Sequence, residues 1–285
     1  EMALDTNRNG IADTEEMRTD RIIVNMGPQH PSTHGVLRMV VQLDGETVTD
    51  VKLVLGYLHR NHEKIGERNT WLQNTPYTDR LDYIVGMVNE WGYVHTVEKM
   101  MGIKPTERAE YLRVIMSELT RVESHFWAIG FLLNDLGAFY TPALYVMNER
   151  ELILDFFEAT AGSRMMCNYM RFGGVAHYLP ERIQSTAALV NDRVRDFDTM
   201  HYLRELINDR LPRAIDQTND LLTANEIITN RCIGVGVLSR EDAIAYSAAG
   251  PVLRASSVPY DVRRAQPYSI YPDLEFDVAV RHHGD

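Results

Sequence analysis

No stretch constrains this chain more than "ERAEYLRVIMSELTRVESHFWAIGFLLNDLG", Glu107 to Gly137. Pro105 sits where a first helical turn tolerates it, and the segment then runs for about eight turns to a glycine stop at Gly137. Helices flank it on both sides. Leu81, Ile84, Val85, Val88 and Trp91 recur at three and four, predicting a helix from about Asp79 to Met101 that stops before Gly102. Pro142 opens another through Thr160, closed by Gly162. "RFGGVAHYLP" reads as a glycine-hinged loop, and Pro180 starts a charged amphipathic helix to about Asp209. Pro212 interrupts it, a short helix follows to Asn230, and "LSREDAIAYSAAG" supplies a capped last helix ending at Gly250.

The N-terminal part has a different texture. Residues 1–20 are polar and read as an extension ahead of the fold. In "VLRMVVQLDGETVTDVKLVLG" two β-branched runs surround Asp44-Gly45, a strong hairpin signal. Four prolines after Gly250 predict a loop-rich segment over the surface. The expected fold class is α+β: a mostly α-helical bundle with a small N-terminal antiparallel β-sheet. Its divisions are an extension at 1–20, a β-hairpin region at 21–56, a helical bundle at 57–250 and a loop-rich segment at 251–285.

At 285 residues the chain can bury about 75% of its unfolded surface without staples. Cys167 and Cys232 are its only thiols, too few to hold an iron-sulfur cluster or an all-cysteine zinc site. A net charge of −11 speaks against nucleic acid as the main partner. Apolar runs such as "AIGFLL" at Ala128–Leu133 fall far short of the roughly 20 residues a spanning helix needs. No charged-then-apolar leader is visible, and a first residue of Glu rather than Met suggests that some N-terminal sequence was processed or lies outside this sequence. "GVG" at 234–236 lacks a preceding strand and a third glycine, so no nicotinamide or flavin fingerprint is present.

Two segments carry possible chemistry. "GPQHPSTHG", Gly27 to Gly35, holds His30 and His34 where Pro28 and Pro31 forbid a helix, so a stiff loop presents both imidazoles. Bonding to nearby backbone is the ordinary reading of such histidines. "DTNRNGIADTEE" fits the EF-hand loop pattern, with calcium ligands at Asp5, Asn7, Asn9, the Ile11 carbonyl, Asp13 and Glu16. Only four residues precede Asp5, leaving no room for an incoming helix, and a polar tail with Asx turns imitates the same pattern. His59, His62, Glu63 and Glu67 at helical spacing read as a solvated or salt-bridged face before they read as a metal cluster.

Six blocks in order, "MGPQHPSTHGVLR", "YLHRNHEKIGE", "PYTDRLDY", "LNDLGA", "RFGGVA" and "GPVLRASSVPYDVRRAQPY", closely resemble the hydrogenase-like D-type subunit of respiratory complex I, the proton-translocating NADH:quinone oxidoreductase. The resemblance runs from Arg21 to the end. It implies a fold related to the nickel-iron hydrogenase large subunit, with the old metal cavity serving as the inner end of a quinone channel. It also implies an oxidoreductase component not active alone. Electrons would come from an iron-sulfur cluster in the neighbouring B-type subunit, other peripheral-arm and membrane-arm subunits would be partners, and the chain would lie peripherally on the cytoplasmic side of a bacterial plasma membrane or the equivalent inner face of an organelle. His34 and Tyr83 match the family's quinone headgroup contacts, and Asp135 matches the carboxylate that pairs with that histidine.

The chemistry is coherent, because making a quinol takes two electrons and two protons. An imidazole of ordinary pKa near 6.5 gives a proton at neutral pH, a phenol near 10 chiefly donates a hydrogen bond, and a carboxylate on the other imidazole nitrogen fixes the tautomer. Taken alone, Tyr83 would be an amphipathic core tyrosine on the predicted helix. The resemblance is incomplete in three places. The first hydrogenase CxxC pair would fall around "PYTDRLDY", which has no cysteine, so nickel and hydrogen chemistry are not expected. Asn61 stands where the family has glycine, and the sequence stops before the family's usual C-terminus. A non-catalytic scaffold of a related redox complex and a calcium-binding module remain the alternative readings.

Overall fold

A computed structural model describes residues 21–30, 35–138, 140–185, 195–222, 225–282 and 284. The chain divides into two compact units, Glu1–Ile65 and Gly66–Asp285. Small antiparallel sheets accompany a largely helical remainder, which is the α+β class expected from the sequence.

In the first unit the predicted hairpin forms from β4 (Arg38–Asp44) and β5 (Thr47–Val54), turning at Gly45 with φ +60°. A strand not anticipated, β1 (Arg21–Met26), pairs antiparallel along the other edge of β4, from Arg21 opposite Asp44 to Met26 opposite Met39. Registration places Val24, Val41 and Val51 side by side on one face, flanked by Met26, Met39 and Leu53. Two short strands, β2 (Gln29–His30) and β3 (Gly35–Val36), bracket residues 31–34. A short helix α1 (His62–Arg68) follows Asn61, whose φ of +55° is the left-handed conformation that asparagine tolerates better than most residues, so the turn survives without glycine.

The second unit is organised on the long helix. α4 spans Glu107–Leu133 and passes through a π-helical turn, Asn134–Ala138, to α5 (Thr141–Ala161), which ends on left-handed Gly162. Ahead of them lie α2 (Trp71–Thr78), closed at its start by a Thr70–Gln73 capping box, and α3 (Gly86–Met101). The core joins Met87, Trp91 and Val94 of α3 to Met116 and Phe126 of α4 and Ile153 and Phe156 of α5.

Several expectations are corrected. The helix expected from Asp79 begins only at Gly86, because the Asp82 carboxylate accepts the Ile84 N–H at 3.2 Å and its carbonyl accepts the Asn89 side chain at 2.9 Å, stabilising turns instead. "RFGGVAHYLP" is no open loop: β6 (Met170–Arg171) and β7 (Gly174–Val175) form a tight hairpin turning at Gly173, φ +82°. The helix expected from Pro180 is instead a hairpin of β8 (Arg182–Ser185) and β9 (Arg195–Asp198), tied by Arg182 to Asp196 at 2.8 Å, before α6 (Thr199–Glu205). Pro212 does not end a helix but lies in the first turn of α7 (Leu211–Leu222), and a π-helical turn at Leu206–Arg210 absorbs its missing N–H donor.

The short helix expected to run to Asn230 is two, α7 and then α8 (Glu226–Cys232), and the last helix expected to end at Gly250 is the Ser239-capped α9 (Arg240–Ala245), which stops at Ala245; Gly250 instead opens α10 (Gly250–Ala255), and α11 (Val262–Ala265) follows. The rest of the C-terminal segment is loop-rich, yet it is anchored rather than superficial. Tyr271 is buried, with its ring stacked 6.1 Å from Trp91, and Arg263 joins Asp261 at 2.7 Å to Glu118 of α4 at 3.1 Å. No described helix is long and apolar enough to cross a membrane.

Candidate functional site

The turns between α2 and α3 display Tyr83 with 61% of its surface exposed, not packed on a helix as its neighbours' periodicity implies. Tyr83 edges a cavity of about 20 Å³, room for a single water, whose other walls include Gly86, Met87, Glu123, Arg164 and Cys167. Glu123 is buried and bonded to Arg150 of α5; burial holds its carboxyl above the usual range against that cation's opposing pull. Cys167 is a buried thiol pushed up to about 12 by burial and by the negative charges of Asp79, Glu90 and Glu123. It is a poor nucleophile in that state.

Behind this cavity lies a group of buried charges that no sequence pattern singled out. Asp79 caps the end of α2 and Glu90 lies on α3, and neither has any exposed surface. The Asn168 N–H donates to Asp79 Oδ2 at 2.8 Å, and the Tyr169 and Met170 N–H groups donate to Glu90 Oε2 at 2.9 and 3.1 Å. One turn-pair further along α3, Glu98 accepts the Gly173 N–H at 2.7 Å and both guanidinium arms of Arg113, at 2.7 and 3.0 Å. Arg113 donates onward to the Arg171 and Gly174 carbonyls. Three acidic side chains and one arginine therefore supply partners to the N–H groups of residues 168, 169, 170 and 173 and to the carbonyls of 171 and 174. Burial, and secondarily the charge of Asp79, pushes Glu90 up to about 8; burial also raises Asp79.

Asp135 occupies the π-helical turn after α4, exposed, where Arg231 of α8 donates to the adjacent Leu136 carbonyl at 3.0 Å. It lies at the end of the long helix, two residues before left-handed Gly137. His34 lies outside the described residues, as does the calcium pattern with Asp5, Asn7, Asn9, Ile11, Asp13 and Glu16. His30 pairs through its main chain with Gly35. Among the described residues no three His, Cys, Asp or Glu side chains are grouped as metal ligands would be, His59, His62, Glu63 and Glu67 included.

What this arrangement can do is bounded by its parts. A phenol stands at the mouth of a one-water cavity, and protonatable groups cut off from solvent line or back it. Groups of this kind can exchange protons; among the described residues the site offers neither an activated nucleophile nor a metal cage.

Comparison with known proteins supplies the lineage. Residues 135–285 match the family described as respiratory-chain NADH dehydrogenase, 49 Kd subunit. A D-type subunit of NADH-quinone oxidoreductase from Roseiflexus is 51% identical over 269 residues, covering 94% of this chain and 67% of that protein. Its counterpart in Herpetosiphon aurantiacus is 49% identical, with 94% and 68% covered, and that of Dehalococcoides mccartyi is 50% identical, with 94% and 69% covered. This chain belongs to the family of the 49 Kd, D-type subunits of NADH-quinone oxidoreductase.

Proposed function

We propose that this chain forms one wall of the quinone-reducing site of a proton-translocating NADH:quinone oxidoreductase, and that Tyr83, His34 and Asp135 serve the acceptor there. Tyr83 donates a hydrogen bond to one quinone oxygen and hands over its proton as negative charge builds on that oxygen. His34 serves as the second donor, and Asp135 orients its imidazole and stabilises the imidazolium form. The electrons arrive one at a time from an iron-sulfur cluster in a partner protein of the complex, since two isolated cysteines cannot hold one. The complex it joins is associated with a membrane, this chain lying peripherally on the cytoplasmic face, and comprises the iron-sulfur B-type subunit together with peripheral-arm and membrane-arm subunits.

The observation that carries this reading is the placement of Tyr83. An amphipathic helical position would bury the ring; the Asp82 turn instead presents the phenol outward beside a cavity backed by acids. The test is NADH-driven quinone reduction by the assembled complex carrying Tyr83→Phe. The ring and its packing persist while the transferable proton is lost, and kcat is expected to fall about 10²-fold with little change in KM. Wild-type rates with several quinones would remove Tyr83 from the mechanism.

A further inference from the structure

Asp79 and Glu90 form an arrangement that the ordinary needs of folding do not account for. Both side chains are fully enclosed, and they are held by consecutive main-chain N–H groups, Asp79 by Asn168 and Glu90 by Tyr169 and Met170, so the two carboxyl groups are neighbours in one buried pocket of charge. Each spends one oxygen on main-chain N–H groups of residues 168–170. The other oxygens, Asp79 Oδ1 and Glu90 Oε1, meet no donor at all, and the neighbouring Trp91 Nε1 meets no acceptor. The cations nearby do not repair this. Arg171 Nη1 stands 3.7 Å from Glu90 Oε1 and spends its hydrogen bonds on Asn168 and Met170, while Arg80 donates to the Pro76 carbonyl. Two ionised carboxylates buried as neighbours repel one another, whereas one carboxylic acid beside one carboxylate relieves that repulsion.

The same pair abuts the Tyr83 cavity. Gly86 forms part of the cavity wall, and a Cβ placed on it would sit 3.2 Å from the Asp79 carbonyl oxygen and 3.7 Å from the Asp79 Cβ, so Asp79 lies directly behind a wall that has no side chain. Cys167, on the same cavity, precedes the Asn168 N–H that holds Asp79 and feels the charges of Asp79, Glu90 and Glu123. Tyr83, Gly86 and Cys167 thus surround a space for one water with the acid pair at its back.

We propose that Asp79 and Glu90 together hold a single shared proton, and that this proton is the reserve from which Tyr83 is re-protonated after it has given its own to the reduced acceptor. The inference rests on the quinone reading above. The step is a proton transfer alone. The Tyr83 O–H bond breaks as the reduced quinone gains a proton, and the tyrosinate then takes one through the cavity water. The acid pair is left doubly charged and refills from solvent. The electrons belong to the quinone couple and its iron-sulfur donor. Tyr83 is exposed in the chain itself, so the reserve matters where a bound acceptor and partner subunits keep bulk water away. Asp79 and Glu90 do not touch the acceptor and are positioning residues.

The test uses the assembled complex with Glu90→Gln and, separately, Asp79→Asn. Both keep an oxygen for the 168–170 amides, and both remove the acid–carboxylate pairing. Infrared spectra of the wild-type complex at pH 7 are expected to show a protonated carboxyl band that titrates away near pH 8 and is missing from Glu90→Gln. NADH-driven quinone reduction is expected to lose its alkaline inflection in Glu90→Gln, with kcat at least tenfold lower at pH 7 and KM unchanged; in Asp79→Asn the inflection moves to lower pH. A purely structural role would lower thermal stability in both variants and leave the inflection in place. Absence of the wild-type carboxyl band, or an unmoved pH profile in whichever variant assembles, overturns the inference. If Tyr83→Phe slows turnover while the acid variants leave the profile unmoved, the reserve alone fails. If Tyr83→Phe is inert, the quinone reading fails with the band still to be accounted for by the pair.

Discussion

Arg113→Met should unfold the second unit more readily than almost any other single change, and the size of the effect follows from the contacts. The guanidinium has no exposed surface and makes five hydrogen bonds: two to Glu98 at 2.7 and 3.0 Å, one to the Arg171 carbonyl at 2.8 Å, and two to the Gly174 carbonyl at 2.9 and 3.2 Å. Methionine fills much of the stem's volume and supplies no donor. Glu98, 2% exposed, would keep only the Gly173 N–H against its negative charge. Removing one member of a buried pair while stranding the other is worth about 3–5 kcal/mol. In a unit of this length each 1 kcal/mol moves Tm by about 2–4 °C, so the midpoint should fall by about 6–20 °C. Thermal unfolding by circular dichroism reads the shift, and amide exchange at Gly173 and Gly174 reads whether the hairpin opens first. The double variant Glu98→Met/Arg113→Met removes both charges together and should recover more than half of the loss. A fall of less than about 2 °C, or a double variant showing the sum of the two single losses, would refute the view that a stranded charge dominates.

Two further predictions probe packing and charge elsewhere. Gly130→Ala ordinarily favours a helix by roughly 0.5–1 kcal/mol, but a Cβ at Gly130 of α4 would sit 2.5 Å from Val146 Cγ2 and 3.3 Å from the Ala143 Cα of α5. Overpacking of about 1–3 kcal/mol should reverse the sign, and a raised urea midpoint would show that the two helices do not approach so closely. Asp261, bonded to Arg263 through its side chain and main chain, is held down at about 2 against an ordinary 3.8. Its folded value is depressed, so its stabilisation is present above about pH 4 and fades as pH falls toward 2. Asp261→Asn should therefore lose roughly 1–2 kcal/mol at pH 7 and only a small part of that at pH 2; an equal loss at both, measured by denaturant titration, would assign the effect to packing instead.

Which parts of this molecule could be read beforehand depends on how far the determining contact lies along the chain. α4 and α5 were legible because Pro105, Gly137, Pro142 and Gly162 punctuate them locally, and the Asp44-Gly45 turn announces its hairpin for the same reason. The start of α3 was not, since Leu81, Ile84 and Val85 keep helical period while one carboxylate, Asp82, captures the Ile84 amide and diverts the backbone. The span after Pro180 failed similarly: a four-residue strand is too short to show period two, and the Arg182–Asp196 contact that pairs it is 14 residues distant. Glu90 is the instructive case. It interrupts the apolar stripe of Met87, Trp91, Val94 and Val97, where a carboxylate needs a compensating partner, and so the misfit was visible in the sequence. The partners were not, because they are main-chain N–H groups 79 and 80 residues downstream, which any residue type but proline would supply. A buried acid in an apolar stripe thus identifies where a protein keeps a proton or holds a backbone, while its own period is silent about which. Here the oxygen left without a partner on each of Asp79 and Glu90 is the observation from which the proton-holding role is proposed.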